Sequence, residues 1–97
     1  MDTPQIKKNL FLVIDQGTSS TKSFLFDAQG ALLLSDKIKH SLNNPAPYYV
    51  ECDPLPILNA CKSLIEQSQL YATKQGNNIR SMGLAVQRST FLFWDKY

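Results

Sequence analysis

One histidine, His40, and two cysteines, Cys52 and Cys61, are all the imidazole and thiol groups this chain has, and no CxxC pair is among them. The spacing of a zinc site is therefore missing. Concentrated positive charge is missing too. Ten Lys and Arg against eight Asp and Glu leave a net charge of +2, and no basic run is longer than Lys7-Lys8, which argues against a nucleic-acid partner. No apolar run approaches the ~18 residues of a membrane span, and the polar segment Met1 to Asn9 has no apolar core ahead of a cleavage site. The expectation is a cytoplasmic protein with reduced cysteines and no membrane partner.

What remains is ordinary globular material. Hydrophobic residues make up 43% of the 97 and charged residues 19%, which excludes disorder as the main state. A chain of this length forms one modest domain and buries somewhat over ~60% of its unfolded surface.

Leu10 to Ile14 is a continuous apolar run, the pattern of a strand buried on both faces, and Asp15 closes it. The turn Gln16-Gly17-Thr18-Ser19-Ser20-Thr21 follows, then a second apolar run at Phe24, Leu25 and Phe26. Asp27-Ala28-Gln29-Gly30 reads as a tight turn, and Ala31 to Leu34 continue as a third strand toward Lys39. The segment from Ser41 to Val50, with Asn43, Asn44, Pro45 and Pro47, reads as an extended loop that Tyr48 and Tyr49 pin. Asp53 and Pro54 mark a helix start, with the side-chain acceptor at the N-cap and proline at the first helical position. Leu58, Cys61, Leu64, Ile65 and Tyr71 recur at helical spacing and are expected to face a sheet, and Gly76 is expected to end the helix. Ile79 to Val86 returns as a strand with Met82, Leu84 and Val86 on one face. Gly83 and Ala85 between them suit close packing across the sheet, and Phe91 to Trp94 form another apolar run, read as a fifth strand.

These elements predict a mixed α/β sheet: an antiparallel three-stranded meander, one crossover helix, and a fourth strand parallel to the first. The ends of strands one and four then share one edge of the sheet. Asp15 and the turn after it meet Gln87 and Arg88 there, where α/β sheets bind ligands.

The turn is suited to a phosphate. Gly17 lets the backbone approach a ligand, the hydroxyls of Thr18, Ser19, Ser20 and Thr21 donate hydrogen bonds, and Asp15 is placed to hold a divalent cation. The plainer reading is a β-hairpin whose turn is merely polar. Against it stands the position of Asp15 at the end of a buried strand.

With both clusters considered, the chain resembles the amino-terminal part of the FGGY carbohydrate kinases, most closely the glycerol kinase branch. The residues that carry the resemblance are Ile14-Asp15-Gln16-Gly17-Thr18-Ser19-Ser20-Thr21-Lys22, Val50-Glu51-Cys52-Asp53-Pro54, Gly83-Leu84-Ala85-Val86-Gln87-Arg88-Ser89-Thr90 and Trp94-Asp95. It extends from about Leu10 to the end of the chain. It implies the actin-like, ribonuclease H-like fold, with residues 1–97 as the amino-terminal portion of the first of two domains. The two domains enclose a cleft where ATP with Mg²⁺ phosphorylates a sugar or polyol. On that resemblance Asp15 orients the Mg²⁺, and Gly17, Thr18, Ser19, Ser20 and Lys22 meet the nucleotide phosphates. Lys22 stands where the branch usually carries arginine, so its contact would be a point charge and not a fork. Gln87, Arg88 and Ser89 would line the substrate site, with Arg88 bonding substrate hydroxyls. Ser89 stands where glycerol kinases typically carry glutamate, which implies a different polyol or a ketose. The family's catalytic aspartate falls beyond Tyr97, so no catalytic base is expected among these residues and the chain alone should not turn over.

Two other readings stay open. Another actin-like ATPase would share an acidic residue, Gly and Thr in a phosphate hairpin but not Gln87-Arg88 with Trp94-Asp95. A non-catalytic binding or assembly module, including a homo-oligomer formed by strand pairing at an open sheet edge, is the third.

Overall fold

A computed structural model of the protein describes residues 7–41, 47 and 53–86. Four strands and one helix follow in the order β1 (Asn9–Gln16), β2 (Ser20–Phe26), β3 (Leu32–Lys39), α1 (Pro54–Lys74) and β4 (Asn78–Val86). They form one mixed sheet in the order β3-β2-β1-β4. β1 pairs antiparallel with β2 and parallel with β4, and β2 pairs antiparallel with β3. This is the expected meander, crossover helix and parallel fourth strand.

Local chemistry sets each junction. At the β2–β3 turn, Gly30 takes a positive φ of 85°. Its N–H donates to the Asp27 carbonyl at 3.0 Å. The Asp27 carboxylate accepts from the backbone N–H groups of Gln29 and Ala31, each at 2.9 Å, so Asp27 is a turn residue, self-bonded in the usual Asx manner. At the helix start, the Asp53 carboxylate accepts from Leu55 N at 3.0 Å, with proline at the first helical position. At the helix end, Gly76 has a φ of 71°. Gly76 N donates to Thr73 O at 3.0 Å and Asn77 N to Ala72 O at 2.8 Å, the paired bonds of a Schellman cap. Asn77 then serves a second purpose, since its Oδ1 accepts from Lys8 N at 3.0 Å. Asn78 N donates to Lys8 O at 3.0 Å, so the end of the helix is tied to the start of β1 and the parallel pairing begins in register.

The core lies between α1 and one face of the sheet. Leu10, Leu12 and Ile14 of β1, Leu25 of β2, and Leu64 and Ala72 of α1 are buried together, with Leu34, Ile38, Cys61, Ile65, Tyr71 and Ile79 packed around them. Two differences from the sequence reading have physical causes. The buried stripe of the helix is Ala60, Leu64, Ser68 and Ala72, and Leu58 is exposed. Small residues let the helix backbone approach the sheet but add little to a hydrophobic pattern. On β4, Met82, Leu84 and Val86 share the core face but stand exposed, Leu84 at 63% and Val86 at 66%, while Ile79 at the start of the strand is the β4 residue packed on the core under α1. A Cβ built on Gly83 meets nothing within 4 Å, so no packing across the sheet covers it among the described residues.

The stripe of α1 yields two substitutions with opposite signs. Leu64 is fully buried, so Leu64→Ala is expected to lower stability by about 2–5 kcal/mol. Ser68 Oγ is buried with no hydrogen-bond partner among the described residues, so Ser68→Ala is expected to raise stability by about 1 kcal/mol. Urea unfolding at constant slope measures both; a Ser68→Ala protein no more stable than the parent would show that the hydroxyl is satisfied.

Candidate functional site

Side chains alternate across a strand. Since Leu10, Leu12 and Ile14 point at the helix, Phe11, Val13 and Asp15 point to the other face. The ladder then sets Asp15 between two neighbours: Lys22 of β2 on one side and Ala85 of β4 on the other. Lys22 in turn lies opposite Lys37 of β3. A row Ala85, Asp15, Lys22, Lys37 therefore crosses the four strands on the face away from α1. Asp15 is half-buried, and Lys22 and Lys37 are exposed.

Like charges directly opposite one another on a sheet destabilise it. The Lys22–Lys37 pair is such a conflict, which an anion lying over the row would relieve. Lys37 was missed in the sequence reading. The signal was present, because a tight turn at 27–30 fixes which residues of β2 and β3 face each other.

The connection between β1 and β2 is shorter than the sequence reading placed it. β1 continues through Gln16 and β2 resumes at Ser20, so the turn proper is Gly17, Thr18 and Ser19. Gly17 N donates to Ser20 O at 2.9 Å and closes it. A Cβ on Gly17 would stand 3.2 Å from that same carbonyl, closer than nearly all such contacts, so glycine keeps the turn tight. Gln16 Nε2 donates to Gly17 O at 3.0 Å. Thr18 and Ser19 are exposed and Ser20 half-buried, which leaves their hydroxyls within reach of a ligand.

Thr21 is placed differently from its neighbours. It lies on the helix face opposite Gln16, is fully buried, and its Oγ1 shares a 2.6 Å hydrogen bond with His40 Nε2. The backbone N–H of His40 donates to Ser19 O at 2.8 Å. His40 is thus joined to the turn at two points, a contact that sequence reasoning missed.

Of the residues singled out from sequence, the structure brings together Asp15, Gly17, Thr18, Ser19, Ser20 and Lys22 at one end of the β1–β2 hairpin. Gln87, Arg88 and Ser89, with Val50 to Cys52, Phe91 to Trp94 and Asp95, lie outside the described residues. Val86 pairs with Gln16, so the residue preceding Gln87 sits at this same end of the sheet. Among the described residues no group of three or more His, Cys, Asp or Glu could hold a metal ion, and no helix is long and apolar enough to cross a membrane. A single carboxylate beside hydroxyls fits a cation that keeps its waters and takes its other ligands from phosphate, as Mg²⁺ does.

Comparison with known proteins agrees with this geometry. The model of the FGGY family of carbohydrate kinases, N-terminal domain, matches residues 10–97. A glycerol kinase from Leifsonia xyli subsp. xyli is 34% identical over 85 residues, covering 88% of this chain and 17% of that protein. A probable glycerol kinase from Dictyostelium discoideum is 39% identical over 87 residues, covering 86% of this chain and 16% of that protein. Among solved structures, Plasmodium falciparum glycerol kinase with ADP superposes with a TM-score of 0.77 at 29% identity, over 87% of this chain and 17% of that one. A xyloylose kinase from Brucella ovis superposes with a TM-score of 0.73 at 28% identity, over 81% of this chain and 16% of that one. The chain thus spans 16–17% of the length of these curated relatives. The strand order, the hydroxyl turn after Asp15 and the match over residues 10–97 lead to one conclusion: the chain belongs to the FGGY family of carbohydrate kinases, in its N-terminal domain.

Proposed function

We propose that this chain is the amino-terminal portion of the first domain of a longer, cytoplasmic, ATP-dependent kinase that moves the γ-phosphoryl group of ATP to a hydroxyl of a sugar or polyol. The observation that carries the reading is the row of Asp15, Lys22 and Lys37 beside the hydroxyl turn. It puts one carboxylate, two cations and a set of hydrogen-bond donors at one strand end. The similarity to glycerol kinases, one of them solved with ADP, supports it.

Each residue has a physical role in this proposal. Thr18, Ser19 and Ser20 donate hydroxyl and backbone N–H hydrogen bonds to the nucleotide phosphates, and Gly17 allows the close approach. Lys22 supplies a point charge against them. Asp15 holds the waters of a Mg²⁺ ion. When bound, that ion neutralises charge on the phosphate oxygens. Gln87, Arg88 and Ser89 face the acceptor, Arg88 donating to its hydroxyls. Ser89 is short and neutral where a carboxylate would accept from a small triol, so the acceptor proposed is a polyol or ketose other than glycerol. The general base that takes the hydroxyl proton belongs to a part of the kinase beyond residues 1–97.

The test is ATP-dependent phosphorylation by the full-length protein across a panel of polyols, ketoses and sugar acids that includes glycerol. Acceptor-dependent ADP release is expected, with glycerol among the poorer acceptors. No acceptor-dependent release from any of them would overturn the kinase reading, and a clear preference for glycerol would remove the Ser89 argument alone.

Asp15→Asn keeps the shape of the side chain and removes its charge. It is expected to lower activity about 10–100-fold, the usual cost of losing an outer-shell partner of a metal, with the unfolding midpoint unchanged. Lys22→Ala is expected to raise the KM for ATP about tenfold, the effect of one lost charge-assisted contact, and Lys22→Arg to preserve it. The 97-residue chain by itself should bind Mg²⁺-ATP weakly or not measurably, because a nucleotide needs a second wall; tight binding by calorimetry would contradict that.

A further inference from the structure

We infer that His40 is a positioning residue for the phosphate turn: it holds Thr21 and the Ser19 peptide so that the 17–20 segment has its shape before any phosphate arrives. What the turn binds rests on the kinase reading above. How the turn is held rests on the described geometry alone.

His40 follows the last residue of β3. The register pairs Ser20 with Lys39, so His40 lies one step beyond the ladder, level with Ser19. Two bonds leave it. Its backbone N–H donates to Ser19 O at 2.8 Å, and its Nε2 shares a 2.6 Å hydrogen bond with Thr21 Oγ1. Both ends of the Ser19–Ser20–Thr21 segment are therefore fastened to one residue of the neighbouring strand. In a trans peptide the carbonyl and the following N–H point to opposite sides. Tying Ser19 O to His40 turns the Ser20 N–H away from β3, toward the turn that Gly17 N closes onto Ser20 O. The donor that would meet a phosphate is aimed by a bond on the opposite side of its own peptide.

The choice of side chain follows from burial. Thr21 is 0% exposed, so its hydroxyl must find a partner inside the protein or carry the cost of an unmade bond. His40 is half-buried and reaches it from the adjacent strand. Its planar ring has few rotamers, so it transmits the position of β3 to Thr21 more rigidly than a long flexible side chain would. Asp15 and Lys22 lie on the opposite face of the sheet, so His40 acts without touching the groups proposed to meet the ligand.

The experiment uses the full-length protein with His40→Ala, His40→Gln, Thr21→Val and the His40→Ala/Thr21→Val double variant. His40→Ala is expected to raise the KM for ATP about tenfold, the worth of one buried hydrogen bond, and to leave the KM for the acceptor unchanged. His40→Gln retains a polar group at similar reach and should recover most of the loss. The double variant should be no worse than His40→Ala, since both changes break one bond. Hydrogen exchange at the Gly17 amide, whose N–H is bonded across the turn to Ser20 O, is read in the same proteins and should quicken about tenfold in His40→Ala, with β4 amides unaffected. Equal changes in both KM values, or a lowered unfolding midpoint with unchanged exchange at the Gly17 amide, would reduce His40 to a stability residue and overturn the inference. If the parent protein phosphorylates no acceptor, the kinase reading fails on its own, and the exchange pattern alone decides for or against His40.

Discussion

Burial of Leu10, Leu12 and Ile14 under α1 determines where every candidate site residue stands. The period of a strand is two, so the residues chosen for the core choose the opposite face for the rest. Asp15 is carried to the open face because Ile14 is taken by the core. A slip of one residue would put Gln16 in the open row and bring the Asp15 carboxylate into the buried layer of Leu10, Leu12, Leu25 and Leu64, at the cost of desolvating its charge. The same parity pulls Lys22 to the open face and Thr21 into the core, since Ile14 pairs with Ser23 and Gln16 with Thr21. The electrostatic row and the buried strut are two consequences of one packing decision.

The hairpin joins those two faces mechanically. The open face offers charge and free hydroxyls, and the helix face offers a packed hydroxyl and an imidazole. The turn of Gly17, Thr18 and Ser19 connects them, held by the Gly17–Ser20 bond across its mouth and by His40 from the side. A loop that binds phosphate through its backbone must keep its N–H groups converging, although convergent donors repel and oppose that shape in the empty state. Rigid attachment to neighbouring strands is one way to meet that cost in advance of binding. The short turn leaves few torsions to be ordered on binding.

Much of this architecture was legible because it is written in local chemistry. Asp53-Pro54 and Gly76 mark the helix ends by capping needs, Asp27 and Gly30 mark the second hairpin, and the apolar run from Leu10 to Ile14 marks the central strand. The stripe of α1 was less legible, since Ala60, Ser68 and Ala72 contribute closeness and little hydrophobicity, while Leu58 has the right character and lies on the wrong side. Pairwise features were the least legible. Lys37 beside Lys22 and His40 beside Thr21 depend on register across β2 and β3, a long-range property that a pass along the chain reaches only by counting outward from the turn. The apolar run closed by Asp15 and the hydroxyls after Gly17 located the turn but said nothing of what holds it.

The later half of β4 carries an exposed apolar row. A right-handed crossover from β3 to β4 passes over β2 and β1, and α1 touches all four strands, with Ile79 of β4 packed on the core. Met82, Leu84 and Val86 are in line with the core, and each is more than half exposed. Among the described residues β4 is an edge strand, and an apolar row on such a strand invites strand pairing and self-association unless another element covers it. An element that covered this row would complete the core beside β4. Such cover would also stiffen the Val86 end of β4, where strand pairing places Ala85 next to Asp15. The completeness of the core and the shape of the proposed ligand site would then depend on the same edge.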